Sequence, residues 1–76
     1  MELKKLLIES FGMKENQFID EQTLIGLEQF DSMNHMYFIT NLEEKFNIEL
    51  TGDEIVSLQT VKDVKDILLN KGIIQF

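Results

Sequence analysis

Three residues with reactive side chains lie close together in the stretch QFDSMNHM at positions 29–36: Asp31, Ser32 and His35, the only histidine. An acid, a hydroxyl and an imidazole are the components of a nucleophilic triad. A triad base, however, needs its own orienting acid and an oxyanion site, and these three groups fall within five residues at a predicted helix start. We therefore interpret His35 as a surface side chain without a catalytic role.

Ser32 has two interpretations from the residues alone. Aspartate and serine both favour the N-cap of a helix, so Asp31 or Ser32 caps the helix that follows. Alternatively, the Ser32 hydroxyl is a point of attachment. A phosphate ester there would lie beside the unpaired N–H groups and the positive end of the helix, at a corner that another enzyme can reach.

Composition excludes several other functions. The absence of cysteine removes a thiol nucleophile, a disulfide framework and a cysteine-ligated metal. The segments TGDE at 51–54 and Glu43-Glu44 lack the spacing of a calcium loop, so we expect no metal site. The net charge of −7 argues against nucleic acid and anionic membranes, and favours a basic protein partner. No apolar run is long enough for a membrane span.

The periodicity of apolar residues predicts a small all-α, four-helix bundle. The length predicts a single domain, residues 1–76. We expect the protein to be monomeric and cytoplasmic. Three main helices are expected at 2–11, at 32–46 and after the capping residue Thr60, with one short helix after Thr51. Residues 13–31 form a long first loop that we expect to be packed across the bundle. The tail IIQF either folds back on the bundle or stays exposed.

Apolar residues in helix 32–46 recur at steps of three and four, at Met33, Met36, Ile39, Leu42 and Phe46, with Phe38 widening the stripe. This spacing favours a core position for Met33 and Met36, although a soft binding surface is the alternative. Asn34 and Tyr37 fall outside the stripe and are candidates for contact with a partner.

Three motifs together resemble the acyl carrier proteins and their peptidyl and D-alanyl relatives: DSM at 31–33, LEEKFNIEL at 42–50 and QTVKDVKDIL at 59–68. The resemblance extends from about Leu24 to Leu69. It implies that a phosphopantetheinyl transferase attaches 4′-phosphopantetheine from coenzyme A to Ser32, assisted by Asp31. The thiol of that arm then carries an acyl or aminoacyl group as a thioester.

The resemblance further implies a non-catalytic protein that presents its cargo to enzymes with basic surfaces. The expected partner-binding residues are Met33, Asn34, Met36, Tyr37, Glu43, Glu44, Asp53 and Glu54. Asn34 and Tyr37 stand where fatty-acid carriers often have acids. A freestanding acyl carrier is the leading hypothesis. The alternatives are an aminoacyl or peptidyl carrier loaded by an adenylating enzyme, and a small acidic adaptor in which Ser32 is only a cap.

Overall fold

The computed structural model describes residues 2–76. Within them it contains four α-helices, a short 3-10 turn and no strand: α1 Glu2–Phe11, the turn Glu15–Gln17, α2 Ser32–Phe46, α3 Gly52–Ser57 and α4 Val61–Asn70. The all-α prediction of three main helices, one short helix and a long first loop is therefore confirmed. The predicted caps are confirmed as well, because the hydroxyls of Thr51 and Thr60 accept hydrogen bonds from the amides of Glu54 and Asp63.

The hydrophobic core is built from all three long helices and from the first loop. Its most completely buried side chains are Leu3, Leu7 and Phe11 of α1, Phe38 and Leu42 of α2, Val61, Val64 and Leu68 of α4, and Leu24 of the loop. Because Leu24 and Leu27 are as buried as the core residues of the helices, the loop is part of the core.

The stripe predicted on α2 is partly wrong, because Met33 is 84% exposed and Met36 is 54% exposed. Leu42, in contrast, is completely buried. An α-helix turns about 100° per residue, so each step of three residues drifts about 60° around its axis. Three such steps, from Met33 to Leu42, accumulate roughly half a turn, and the two ends of the predicted stripe face opposite sides.

The first half of the loop is fastened to the start of α4 by backbone hydrogen bonds. The Leu24 N–H donates to the Gln59 carbonyl at 2.8 Å, and the Val61 N–H donates to the Gln22 carbonyl at 3.0 Å. In a third hydrogen bond, the Lys62 N–H donates to the loop carbonyl of Asp20 at 3.1 Å. The first amides of a helix have no partner within it, so the loop satisfies donors that α4 would otherwise leave unpaired. The predicted packing of this loop is confirmed.

The second half of the loop is fastened to the end of α1. The Gln29 N–H donates to the Phe11 carbonyl at 3.0 Å. The Phe30 ring stacks on the Phe11 ring with centroids 5.4 Å apart, and Phe11 in turn packs against Phe38 at 5.2 Å. The loop therefore delivers the chain to the first residue of α2 at a defined place on the bundle.

The segment after α4 folds back on the bundle, which resolves the two alternatives for the IIQF tail. Gly72 adopts a φ of +88°, and the next amide, that of Ile73, donates to the Leu68 carbonyl at 2.9 Å. This is the hydrogen bond of a Schellman motif, which reverses the chain direction. The Leu3 N–H then donates to the Phe76 carbonyl at 2.8 Å, so the tail closes over the start of α1.

Across residues 2–76, none of the helices combines the length and the hydropathy needed to span a membrane.

Candidate functional site

The helix start at Ser32 is capped by its neighbour. Asp31 has extended backbone angles, and its Oδ1 atom accepts a hydrogen bond from the Asn34 N–H at 2.7 Å. Ser32 is the first residue of α2 and is exposed. Of the side-chain hydrogen bonds in the described part of the chain, none involves its hydroxyl. Asp31 therefore caps the helix, and the exposed Ser32 side chain makes no hydrogen bond within the described residues.

Asn34 joins the start of α2 to the loop. Its side-chain amide donates to the Gln29 carbonyl at 2.7 Å, while Gln29 itself is held to the end of α1. The side chain reaches back past the helix start as a donor to a carbonyl, whereas the third residue of a capping box accepts the N-cap N–H. Sequence reasoning treated Asn34 as a partner contact and missed the structural role of Gln29. An amide side chain three residues after a capping aspartate was the available signal.

His35 is half-buried and not fully on the surface as expected. Its ring packs against Phe30 with centroids 5.5 Å apart. The nearby Asp31 carboxylate accepts a hydrogen bond from the Asn34 N–H and thereby caps the helix. His35 therefore belongs to the packing beneath the helix start.

An apolar cleft of about 450 Å³ opens next to His35, between the loop, the start of α2 and α3. Its walls include Leu24, Ile25, Phe30, Ile55 and Val56. No aspartate, glutamate or lysine lines it; its polar lining comes from His35, a threonine and a glutamine. An environment of this kind accommodates hydrocarbon and disfavours a charged group.

The predicted contact residues around Ser32 divide into two groups. Met33, Met36 and Tyr37 are exposed and follow Ser32 within the first two turns of α2. Asn34 is only half-exposed and is engaged by the loop.

The four predicted acidic contacts also differ from one another. Glu44 and Asp53 are exposed, at the end of α2 and the start of α3. Glu43 is part-buried, and its Oε2 atom accepts a hydrogen bond from the Leu50 N–H at 2.8 Å. Glu54 is half-buried at the start of α3 and is part of the cap of that helix.

Glu54 has two partners within the fold. Its Oε1 atom accepts the Thr51 N–H at 2.9 Å and lies 3.1 Å from the Lys71 ammonium. The Thr51 N–H, and after it Lys71, lower the pKa of the Glu54 carboxyl below its ordinary value of 4.5. Glu54 therefore links the cap of α3 to the end of α4.

The geometry at Ser32 agrees with comparisons to known proteins. A family model described as "Phosphopantetheine attachment site" matches residues 2–68. The acyl carrier protein of Buchnera aphidicola subsp. Baizongia pistaciae (strain Bp) is 32% identical over 66 residues, which cover 87% of this chain and 85% of the relative. The acyl carrier protein of Buchnera aphidicola subsp. Acyrthosiphon pisum (strain 5A) is 28% identical over 71 residues, covering 93% and 89%.

The chain belongs to the acyl carrier protein family. Its prosthetic group is a covalently attached 4′-phosphopantetheine, whose terminal thiol supplies the thioester chemistry of a carrier. The start of α2 fits such a group. An exposed hydroxyl stands at the amino end of a 15-residue helix, where unpaired N–H groups and the helix dipole favour a phosphodiester anion.

Glu43 and its neighbour Glu44 should differ in their effect on stability. Glu43→Ala leaves the Leu50 N–H without its acceptor, and we expect the free energy of unfolding to fall by roughly 1–2 kcal/mol. Glu44→Ala, on the exposed face, should change it by less than about 0.5 kcal/mol. Urea unfolding of both variants measures the difference. Equal destabilisation by the two substitutions would contradict the assignment of Glu43 to the fold.

Glu54 should contribute to the pH dependence of stability. Its pKa is lower in the fold than in the unfolded chain, so its stabilisation is present above about pH 4.5 and is lost as the pH falls through the folded-state pKa. We expect the melting temperature of Glu54→Gln to fall less on acidification than that of the wild type. Asp53→Asn, an exposed neighbour on the same helix, is the control. Identical pH profiles for the two variants would contradict this role of Glu54.

Proposed function

We propose that the protein is a freestanding acyl carrier that holds acyl groups as thioesters on a 4′-phosphopantetheine arm attached to Ser32. It acts in the cytoplasm, without catalysing a reaction itself, as a partner of biosynthetic enzymes. The observation that carries the proposal is the exposed Ser32 hydroxyl at the start of a helix that Asp31 already caps.

Asp31 has a second role in this proposal, which is to assist attachment of the arm. Its Oδ1 atom accepts the hydrogen bond that caps the helix. Asp31 directly precedes Ser32 in the sequence, and its other carboxylate oxygen is available to a transferase. A carboxylate at this place is a suitable ligand for a magnesium ion brought by that enzyme. Asp31 would thus orient the helix start and help to position the incoming phosphate.

The apolar cleft beside His35 favours an acyl cargo over an aminoacyl cargo. Ser32 and His35 are three residues apart on α2, so they are neighbours on the helix surface. An aminoacyl thioester carries an ammonium group, and the cleft offers no carboxylate to receive it. The relatives named as acyl carrier proteins support the same cargo class.

An aminoacyl or peptidyl carrier, loaded by an adenylating enzyme, is the second candidate. The observation in its favour is the uncharged helix start, where Asn34 and Tyr37 replace the acids frequent in fatty-acid carriers. Parallel loading assays distinguish the two candidates: acyl or malonyl transferases should load the arm, and amino-acid adenylating enzymes should not.

The partners in this proposal are a phosphopantetheinyl transferase and loading and transferring enzymes with basic surfaces. The chain carries 14 acids against seven lysines, and five of those lysines form ion pairs within the described residues. The field around the protein is therefore negative and attracts basic surfaces from a distance. We propose that the carrier is a monomer that meets these partners one at a time.

Attachment at Ser32 is tested by intact-mass measurement after incubation with coenzyme A and a promiscuous phosphopantetheinyl transferase. We expect the wild type to gain the mass of one phosphopantetheine group, and Ser32→Ala to gain nothing. Ser57→Ala removes another exposed serine and should behave as the wild type. Asp31→Asn preserves the helix cap, because asparagine caps as well as aspartate, and should gain the group more slowly.

An unmodified wild type would overturn the proposal and leave an acidic adaptor as the remaining hypothesis. A mass gain on Ser32→Ala would place the attachment at another residue.

A further inference from the structure

The short helix α3 lies between two fixed points of the chain but buries none of its own side chains. Before it, the Leu50 N–H is bonded to Glu43, and after it Leu58 is buried in the core. Within α3, Ile55 is half-buried and packs against the core, while Val56 is exposed. The position of α3 therefore depends on a small number of interactions.

The ion pair between Glu54 and Lys71 is one of these interactions. Within residues 2–76, no other hydrogen bond or ion pair joins α3 to a different helix. Lys71 and Glu54 are 24% and 28% exposed, whereas each of the other four ion pairs has a partner that is more than half exposed. Because water screens this pair least, it is the best placed of the five to hold two elements together.

The backbone of Lys71 is fixed by the end of α4. Its N–H donates to the carbonyls of Ile67 and Leu68, both at 3.1 Å, and the turn at Gly72 follows directly. A cationic side chain at this place also interacts favourably with the negative end of the helix. Lys71 is thus a fixed point on α4 to which α3 is attached.

The same helix α3 supplies a wall of the apolar cleft. Ile55 and Val56, which follow Glu54 directly in the sequence, line the cleft, whereas neither Glu54 nor Lys71 does. The loop wall of the cleft is held to the start of α4 by the hydrogen bond of the Leu24 amide. With the loop fixed, the width of the cleft depends on where α3 lies.

We propose that Lys71 is a positioning residue for the cargo: through Glu54 it holds α3 against the cleft, and it thereby sets how well the cleft shelters an acyl chain. This inference rests on the proposed function. When the ion pair is absent, Ile55 and Val56 are free to move outward, and an acyl chain in the cleft becomes more exposed to water. The chain then occupies the cleft for a smaller fraction of the time.

The test measures how fast hydroxylamine cleaves two thioesters of different chain length. A promiscuous transferase loads each protein from acetyl-coenzyme A or from octanoyl-coenzyme A, and intact mass follows the loss of the acyl group. The acetyl group has almost no chain to shelter, so the ratio of the acetyl rate to the octanoyl rate reports the cleft. Thermal melts first establish that every protein is folded.

Two variants remove the ion pair from opposite sides. Lys71→Met removes the charge at similar side-chain length. Glu54→Gln removes the other charge and keeps the cap of α3, because glutamine serves in a capping box as glutamate does. Lys71→Arg preserves the charge. Lys62→Met is the matched control, because it breaks the more exposed Lys62–Asp66 pair of α4.

We expect octanoyl on the wild type to be cleaved more slowly than acetyl by about fivefold or more. Lys71→Met and Glu54→Gln should each reduce this ratio to about half or less, and combining them should reduce it no further, because both remove the same pair. Lys71→Arg and Lys62→Met should retain the wild-type ratio. The acetyl rate should be the same in all proteins.

A wild-type ratio in both Lys71→Met and Glu54→Gln would overturn the role of the ion pair. Equal acceleration of acetyl and octanoyl cleavage, or the same loss in Lys62→Met, would overturn it as well, because the effect would not come from the cleft. Equal cleavage of the two thioesters on the wild type would overturn the sheltering and leave the carrier function intact. Failure of the wild type to be loaded at all is the separate result that would overturn the proposed function.

Discussion

The position of Ser32 depends on how the 19-residue loop at 13–31, whose only helical segment is a short 3-10 turn, is held to the bundle. Three backbone hydrogen bonds join it to the start of α4, and two of them are donated by the first amides of that helix, those of Val61 and Lys62. Because the first amides of a helix have no partner within it, loop and helix stabilise each other. At its other end the loop is tied to Phe11 by the Gln29 amide and by the Phe30 ring. The position of Ser32 follows from these two attachments.

Some acids of this chain accept hydrogen bonds that hold the fold, and others are exposed to solvent. Asp31, Glu43 and Glu54 are acids in the predicted site, yet each accepts a backbone hydrogen bond that caps a helix or fixes a loop. Glu44 and Asp53, in contrast, are exposed. The acids of the predicted site are thus divided between residues that hold the fold and residues that are exposed to solvent.

Much of this architecture could be predicted from the sequence, and the failures have identifiable causes. The start of α2 and the caps at Thr51 and Thr60 were predictable because capping depends on local residue types. Met33 and Met36 were misplaced because successive steps of three drift around a helix until the pattern reaches its opposite side. The pairing of the loop with α4 joins backbone groups distant in sequence, and backbone hydrogen bonds of this kind leave no pattern in side-chain types.

Native-state hydrogen exchange of individual amides tests most directly whether the loop is a fixed part of the bundle. We expect the amides of Leu24, Gln29 and Val61 to exchange slowly, with opening free energies comparable to those of core amides in α1 and α4. Ile25, an exposed loop residue, provides the comparison within the same segment. If Leu24 and Gln29 exchange as fast as amides of an unfolded chain while α1 and α4 stay protected, the loop does not locate Ser32 and the account is wrong.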